Sequence, residues 1–327
     1  MDVSPLLLSA KRDFNRLGFG LFTMALCSLI LQLILSFVLT LSGLSAVLTE
    51  NSLLYTLLGV LPLYGVALPI GFLILRRVPA APCTPAKLRA KDYWALFLIC
   101  FPLMYGGNIL GSAISQLLSG GTASNPVDSM VSELDWLQAL ITVVAAPLLE
   151  EFFFRKQLID RSARYGEGSA ILFSALMFGL FHMNLYQFFY AFLLGLVFGY
   201  VYLRTRRLRY TIFMHMSINF LGGVLPSLLL SYVGDDVLEL AESADGLSAL
   251  GDALPKYLLV SLYSLCTLAL CIIGAALLIM KCRRVLLLPA SDELPRGTRF
   301  RTIYCRVGVI LFTLICVLVG ILYLFLL

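Results

Sequence analysis

Histidine is almost absent from this 327-residue chain: there are two, His182 and His215. Charge is scarce as well. Only 13% of residues are Asp, Glu, Lys or Arg, against about a quarter in an average soluble domain. Cysteine occurs eight times, at 27, 83, 100, 266, 271, 282, 305 and 316, but never as C-x-x-C. Most of these lie in or beside apolar runs and read as small packing residues, so neither a disulfide framework nor a cysteine-built metal site is expected. The net charge of +5 comes from basic residues spread over short segments, and no nucleic-acid partner is expected from it. The stretches between apolar runs are too short for a soluble domain. Function must therefore lie within the apolar part.

That part dominates. Hydrophobic residues make up 60% of the chain, in runs of the roughly 20 residues that a ~30 Å hydrocarbon core requires. The fold class is all-α, a polytopic helical membrane protein with about nine transmembrane helices. The candidate spans are 17–48, 53–75, 92–118, 136–158, 168–184, 186–203, 210–232, 257–280 and 303–327. The first is far longer than the 7–15-residue apolar core of a signal peptide, and reads as an uncleaved helix. The span at 168–184 is short and its turn near Asn184 is tight, so one of that pair is expected to be partial or tilted. Three regions follow: helices 1–3 in 1–135, a core of helices 4–7 in 136–232, and an acidic loop with helices 8–9 in 233–327.

Charge alternates from loop to loop. Basic clusters precede span 1 (Lys11, Arg12, Arg16) and follow spans 2, 4, 6 and 8, as in Arg155–Arg164 and Arg204–Arg209. The intervening loops are acidic. Residues 119–135 hold Asp128, Glu133 and Asp135 with no Lys or Arg, and 233–256 hold Asp235, Asp236, Glu239, Glu242, Asp245 and Asp252 against Lys256. Basic loops stay in the cytoplasm. The expectation is a multi-pass plasma-membrane protein with its N-terminus inside and its C-terminus outside.

Ionisable groups cost a few kcal/mol each at membrane depth, about +2.5 to +3.5 on insertion scales, and persist where they pair or do chemistry. Three apolar segments carry them here. Span 4 ends in Glu150-Glu151-Phe-Phe-Phe-Arg155. Glu151 and Arg155 are four apart and share a helix face, while Glu150 is turned about 100° away. One carboxylate is thus neutralised and the other is free to accept a proton. The alternative is that the cluster only marks the end of the span, although Glu150 lies ~21 Å from its outer end at 1.5 Å per residue. His182, with Phe178 one turn before it to wall the ring, reads as a catalyst or as a hydrogen-bonded packing residue. His215 and Asn219, also four apart, can aim two donors at one oxygen, as an oxyanion requires, or bond between helices.

The ordered trio Glu-Glu-x-x-x-Arg (150–155), Phe-x-x-x-His (178–182) and His-x-x-x-Asn (215–219) resembles the CPBP family, the CAAX-prenyl-endopeptidase and bacteriocin-processing proteases also called Abi. The resemblance covers about residues 136–225. It departs at Lys156, where a glycine commonly follows the arginine. It implies a CPBP-type catalytic core in which Glu150 activates water with help from His182. His215 and Asn219 would stabilise the oxyanion, and Glu151 and Arg155 would fix the helix and the charge balance. It further implies a cavity open toward the cytoplasmic side. Depth counting sets His215 and His182 ~13 Å apart on straight helices, a gap that a tilted or late-starting span 5 would close.

The metal question stays open at this level. Glu150, His182 and His215 could form a His₂Glu zinc site, or work without metal as base and oxyanion donors. The expected function is an intramembrane endopeptidase, glutamate-dependent or metallo-type, cleaving a membrane-associated substrate. That substrate is a CAAX-prenylated protein by analogy, or a peptide precursor. The alternatives are a bacteriocin self-immunity or maturation protein, a non-catalytic scaffold of the same fold, and a secondary transporter, for which matching halves with interrupted helices are missing. The topology is testable directly. Reporter fusions after residues 125 and 245 should read outside, and fusions after 80 and 205 cytoplasmic; one reversed pair would mean a miscounted span.

Overall fold

The computed structural model describes residues 3–43, 52–122, 125, 135–234, 251 and 253–326. Of the acidic loop residues, Asp128, Glu133, Asp235, Asp236, Glu239, Glu242, Asp245 and Asp252 fall outside them. Among the described residues every regular element is helical. In chain order these are α1 (Val3–Ser42), α2 (Ser52–Val60, Leu61–Ala67 and Leu68–Leu75 end to end), α3 (Ala90–Ser119), α4 (Trp136–Tyr165), α5 (Glu167–Phe181), α6 (Leu185–Thr205), α7 (Leu208–Val233), α8 (Leu254–Lys281), the short α9 (Arg299–Ile303) and α10 (Val307–Leu326).

Eight of these are long and apolar enough to cross a membrane; α5, with 15 residues, is not. At 1.5 Å per residue it rises ~22 Å, short of a ~30 Å core. The tight turn at Asn184 therefore sits at membrane depth, where irregular backbone survives only if its polar groups are satisfied. Asn184 does this. Its Oδ1 accepts from the Gln187 backbone N–H at 2.8 Å, and its Nδ2 donates to the His182 carbonyl at 2.9 Å. Met183 takes a left-handed φ of 53° to make the reversal. Because α5 and α6 leave and return to the same face, the alternation of the loops is unchanged by how far this hairpin reaches.

The half of the bundle nearer the N-terminus is densely packed. Phe14, Leu17, Leu21 and Met24 of α1, Leu75 of α2, Phe153 and Leu158 of α4, Phe173 of α5 and Phe312 of α10 are all fully buried there. Charged groups close the end of that half. Asp13 accepts from Arg164 at 2.6 Å and from the Tyr165 hydroxyl at 2.7 Å, and Asp160 accepts from Tyr202 at 3.0 Å and Arg206 at 2.9 Å. Beyond Ile30, α1 leaves the core: Leu33 and Leu41 are each 71% exposed, as suits lipid contact.

Four stretches of helix are wound wider than α, with i→i+5 spacing: Leu61–Ala67, Ile141–Ala145, Glu151–Ile159 and Phe220–Val224. Three of them are followed two residues later by a proline, Pro69, Pro147 and Pro226. A proline lacks the N–H that the carbonyl four residues back needs, and its ring presses on that carbonyl. A wider turn relieves both and is a frequent feature of functional sites.

α1 crosses α10 where Gly18 faces Gly308. A Cβ on Gly18 would stand 2.2 Å from the Val309 nitrogen, and one on Gly308 2.4 Å from the Phe19 nitrogen. Small residues let membrane helices approach this closely. Gly308→Leu should therefore force the helices apart and cut the yield of folded protein several-fold, while the same change at Gly106, which faces open space, should not. Equal yields and melting temperatures for the two variants would remove this crossing as a stability determinant.

Candidate active site

Depth is set by helix arithmetic. Glu150 precedes the α4–α5 turn at Gly166 by nearly the same number of residues as His182 follows it, so the two antiparallel helices carry both groups to one level, ~22–24 Å above the turn. His215 is only seven residues into α7, but α7 starts deep. Tyr202 and Arg206, at the end of α6, bind Asp160, six residues before that turn, while Arg204 pairs with Glu167 just after it. From Asp160 back to Glu151 is ~13.5 Å, and from Leu208 to His215 ~10.5 Å. The raised start of α7 narrows the ~13 Å gap expected between the histidines, and α5 does not start late, since it begins at Glu167.

Glu151 is the centre of the arrangement and has no exposure. Its Oε2 lies 3.1 Å from Arg155 Nε, and its Oε1 accepts from His215 Nδ1 at 3.1 Å. The Glu151–Arg155 pair read from the spacing is present, also fully buried. It is close but angled off a hydrogen bond, so its attraction is chiefly Coulombic. Arg155 donates from Nη1 to Ser174 Oγ at 3.3 Å, and its guanidinium stacks 4.5 Å from the Phe178 ring centre. Ser174 in turn donates to the Phe154 carbonyl at 2.7 Å. The His215–Glu151 bond was not read from the sequence, where Glu151 had only a helix partner.

Glu150 points elsewhere. Its Oε1 accepts from the Tyr64 hydroxyl at 2.9 Å, and its Oε2 is 3.8 Å from His215 Nε2. His182 donates from Nδ1 to its own helix, the Phe178 carbonyl, at 2.9 Å, which leaves Nε2 bare. Phe178 meets His182 edge-on at 5.0 Å and His215 at 5.7 Å, so the wall expected for one imidazole serves both. Asn219 donates from Nδ2 to the Thr142 carbonyl at 2.8 Å; its second amide hydrogen is not engaged by that bond. Thr142 belongs to a wide turn, which frees its carbonyl.

Glu150, His182, His215 and Asn219 all line one cavity of about 720 Å³, together with Tyr64 and Phe178. Tyr64 and Thr142 are site residues that the sequence reading missed. Tyr64 lies in Leu61-Pro-Leu-Tyr-Gly, and a phenol beside a proline inside an apolar run was the available signal. The cavity opens toward the face opposite the N-terminus, so the expected cytoplasmic opening and the expected cytoplasmic N-terminus do not hold together. Its other lining residues lie on the C-terminal half of α1, the N-terminal halves of α2 and α4, and the C-terminal half of α7. All of these are on the side opposite the N-terminus; the near side is the packed core.

His215 Nδ1 is committed to Glu151 and His182 Nδ1 to a backbone carbonyl, which leaves both Nε2 atoms available, as in histidines that ligate a metal. Among the described residues, no group of three His, Cys, Asp or Glu side chains converges as a metal-ligand set.

Residues 132–221 match the family model described as Type II CAAX prenyl endopeptidase Rce1-like. That window contains the six polar residues of the three motifs and Phe178, while Tyr64 lies outside it. The CPBP resemblance read from the three motifs is supported by this match, and the long apolar helices mark the chain as a multi-pass integral membrane protein. It is also similar to a protein of Bacillus subtilis (strain 168) described as "Putative membrane peptidase YdiL", with 27% identity over 160 residues, 46% of this chain. The match spans 64% of that relative's length. No solved structure matches the chain. The match ends within α7, so α1 to α3 and α8 to α10 lie outside it.

Removing one member of a buried pair strands the other charge, at a cost of roughly 3–5 kcal/mol. Arg155→Ala should therefore lower the melting temperature sharply or abolish folded yield. Lys156→Ala, whose side chain is 46% exposed beside Asp160, should shift it by at most a few degrees. Thermal unfolding in detergent compares the two; equal shifts would mean that the Arg155 charge is solvated.

Proposed function

We propose that this protein is an intramembrane endopeptidase in which Glu150 activates the attacking water. The observation that carries the reading is the division of labour between adjacent carboxylates. Glu151 is ion-paired to Arg155 and hydrogen-bonded by His215, whereas Glu150 keeps an oxygen facing the cavity and an imidazole 3.8 Å away. That distance is too long for a direct hydrogen bond and suits a bridging water.

The chemistry runs on protein groups. Glu150 takes one proton from the water as its oxygen bonds to the substrate carbonyl carbon. His182 Nε2 accepts the other hydrogen of the same water and fixes its approach. The negative charge that develops on the carbonyl oxygen is met by the second amide hydrogen of Asn219 and by His215 in its imidazolium form. Collapse of the tetrahedral intermediate breaks the C–N bond, and Glu150 returns its proton to the leaving nitrogen. Tyr64 holds the Glu150 carboxylate in place throughout. No step is routed through a metal, because the donors do not converge on one.

The basic loops assign the packed face to the cytoplasm of a plasma-membrane protein, with the C-terminus of α10 outside. The three regions 1–135, 136–232 and 233–327 serve as scaffold, catalytic core and flanking helices. The substrate is a membrane-associated peptide or protein.

Glu150→Gln keeps the shape and removes the proton acceptor. Purified variant and wild type, incubated with a pool of apolar peptides in detergent or liposomes, should differ by complete loss of cleavage at matched folding. Asn219→Ala should be milder, about 10²–10³-fold down, if its amide meets the oxyanion. Full activity of Glu150→Gln would end this reading and favour a non-catalytic scaffold or immunity protein.

A further inference from the structure

We infer that the site is served from the membrane face opposite the N-terminus, by an uncharged, largely apolar segment of polypeptide. This rests on the protease reading for the chemistry but not for the direction of access. Two observations give the direction. The cavity reaches from Glu150 along Gln32 and Ser36 of α1, Asn108 of α3, Gln138 of α4 and Ser227 of α7, all toward the far face. On the other side, Phe153, Phe154, Leu158 and Phe173 are packed with at most 1% exposure between Glu150 and the N-terminal face. A peptide cannot pass that plug without unfolding it.

The lining gives the chemistry. Among the described lining residues Glu150 is the one carboxylate, and Lys and Arg are missing. A free C-terminal carboxylate brought beside the scissile bond would set a second negative charge against Glu150 at low dielectric, where the nearby Arg155 is already paired with Glu151. An internal peptide bond meets no such cost. The amides and hydroxyls of Gln32, Ser36, Asn108, Gln138 and Gln187 are suited to the backbone of an extended chain, which must satisfy its own N–H and C=O groups inside a membrane.

The test reads access without turnover. Asn108→Cys and Ser36→Cys are made singly in the full chain, each also combined with Glu150→Gln. A membrane-impermeant maleimide is applied to sealed vesicles of either orientation. The exposed loop cysteines of the wild type, Cys83, Cys282 and Cys305, all lie on the N-terminal face and report that side in the same sample. The inference predicts that the new cysteines gain label only from the opposite face, with and without Glu150→Gln. Label gained from the N-terminal face, from both faces or from neither overturns it. In a second arm, two apolar peptides that differ only in a C-terminal amide or acid two residues beyond the cleaved bond should be cut at rates at least tenfold apart, the amide faster. Equal rates, or a faster acid, overturn the substrate class. If neither peptide is cut by the wild type, the protease reading fails while the labelling result on access stands by itself.

Discussion

A fully buried carboxylate shared by an arginine and a histidine holds this structure's centre together. Glu151 sits between Arg155 on its own helix and His215 on α7, in a region where charge without a partner would cost several kcal/mol. One acid therefore fixes two elements at once. Through Arg155 it reaches Ser174 and the Phe178 ring on α5, and through His215 it sets the register of α7. The neighbouring Glu150 is then the carboxylate left over, held by Tyr64 from α2. The site's asymmetry, one acid paired inside the bundle and one left facing the cavity, follows from the adjacency of two glutamates on a helix.

The bundle has two unlike halves because its helices have unlike lengths and windings. α5 stops near His182, so one helix fewer fills the far half. Prolines at 69, 147 and 226 widen α2, α4 and α7 around that space. α1 turns its last turns toward lipid. The near half keeps every helix and closes with aromatic side chains and with the Asp13 and Asp160 ion-pair clusters. A cavity on one side and a plug on the other are two results of the same distribution of helix.

Much of this was legible in the residues. Long apolar runs and alternating loop charge fix the number of helices to within the short α5, whose tight turn at Asn184 was visible as a tight turn. The i, i+4 spacing of Glu151 with Arg155, and of His215 with Asn219, put the right groups on common faces. What spacing could not supply was distance between helices. The His215–Glu151 bond and the Tyr64–Glu150 bond both join residues more than 60 positions apart. The direction of the cavity was also hidden, since it depends on which half is filled and not on any motif. Asn219 shows the limit in a single residue: its amide was expected to face the reaction and instead shares itself with the Thr142 carbonyl.

If Glu151 and Arg155 matter because they orient His215, charge there should be separable from stability. Replacing a buried pair by apolar or neutral groups of similar volume is often neutral for folding. The decisive measurement is therefore the cleavage rate and melting temperature of the double variant Glu151→Gln, Arg155→Met. The account predicts a melting temperature within a few degrees of wild type and a cleavage rate at least ~10²-fold lower, as for loss of an oriented catalytic hydrogen bond. Wild-type cleavage in a folded double variant would contradict it.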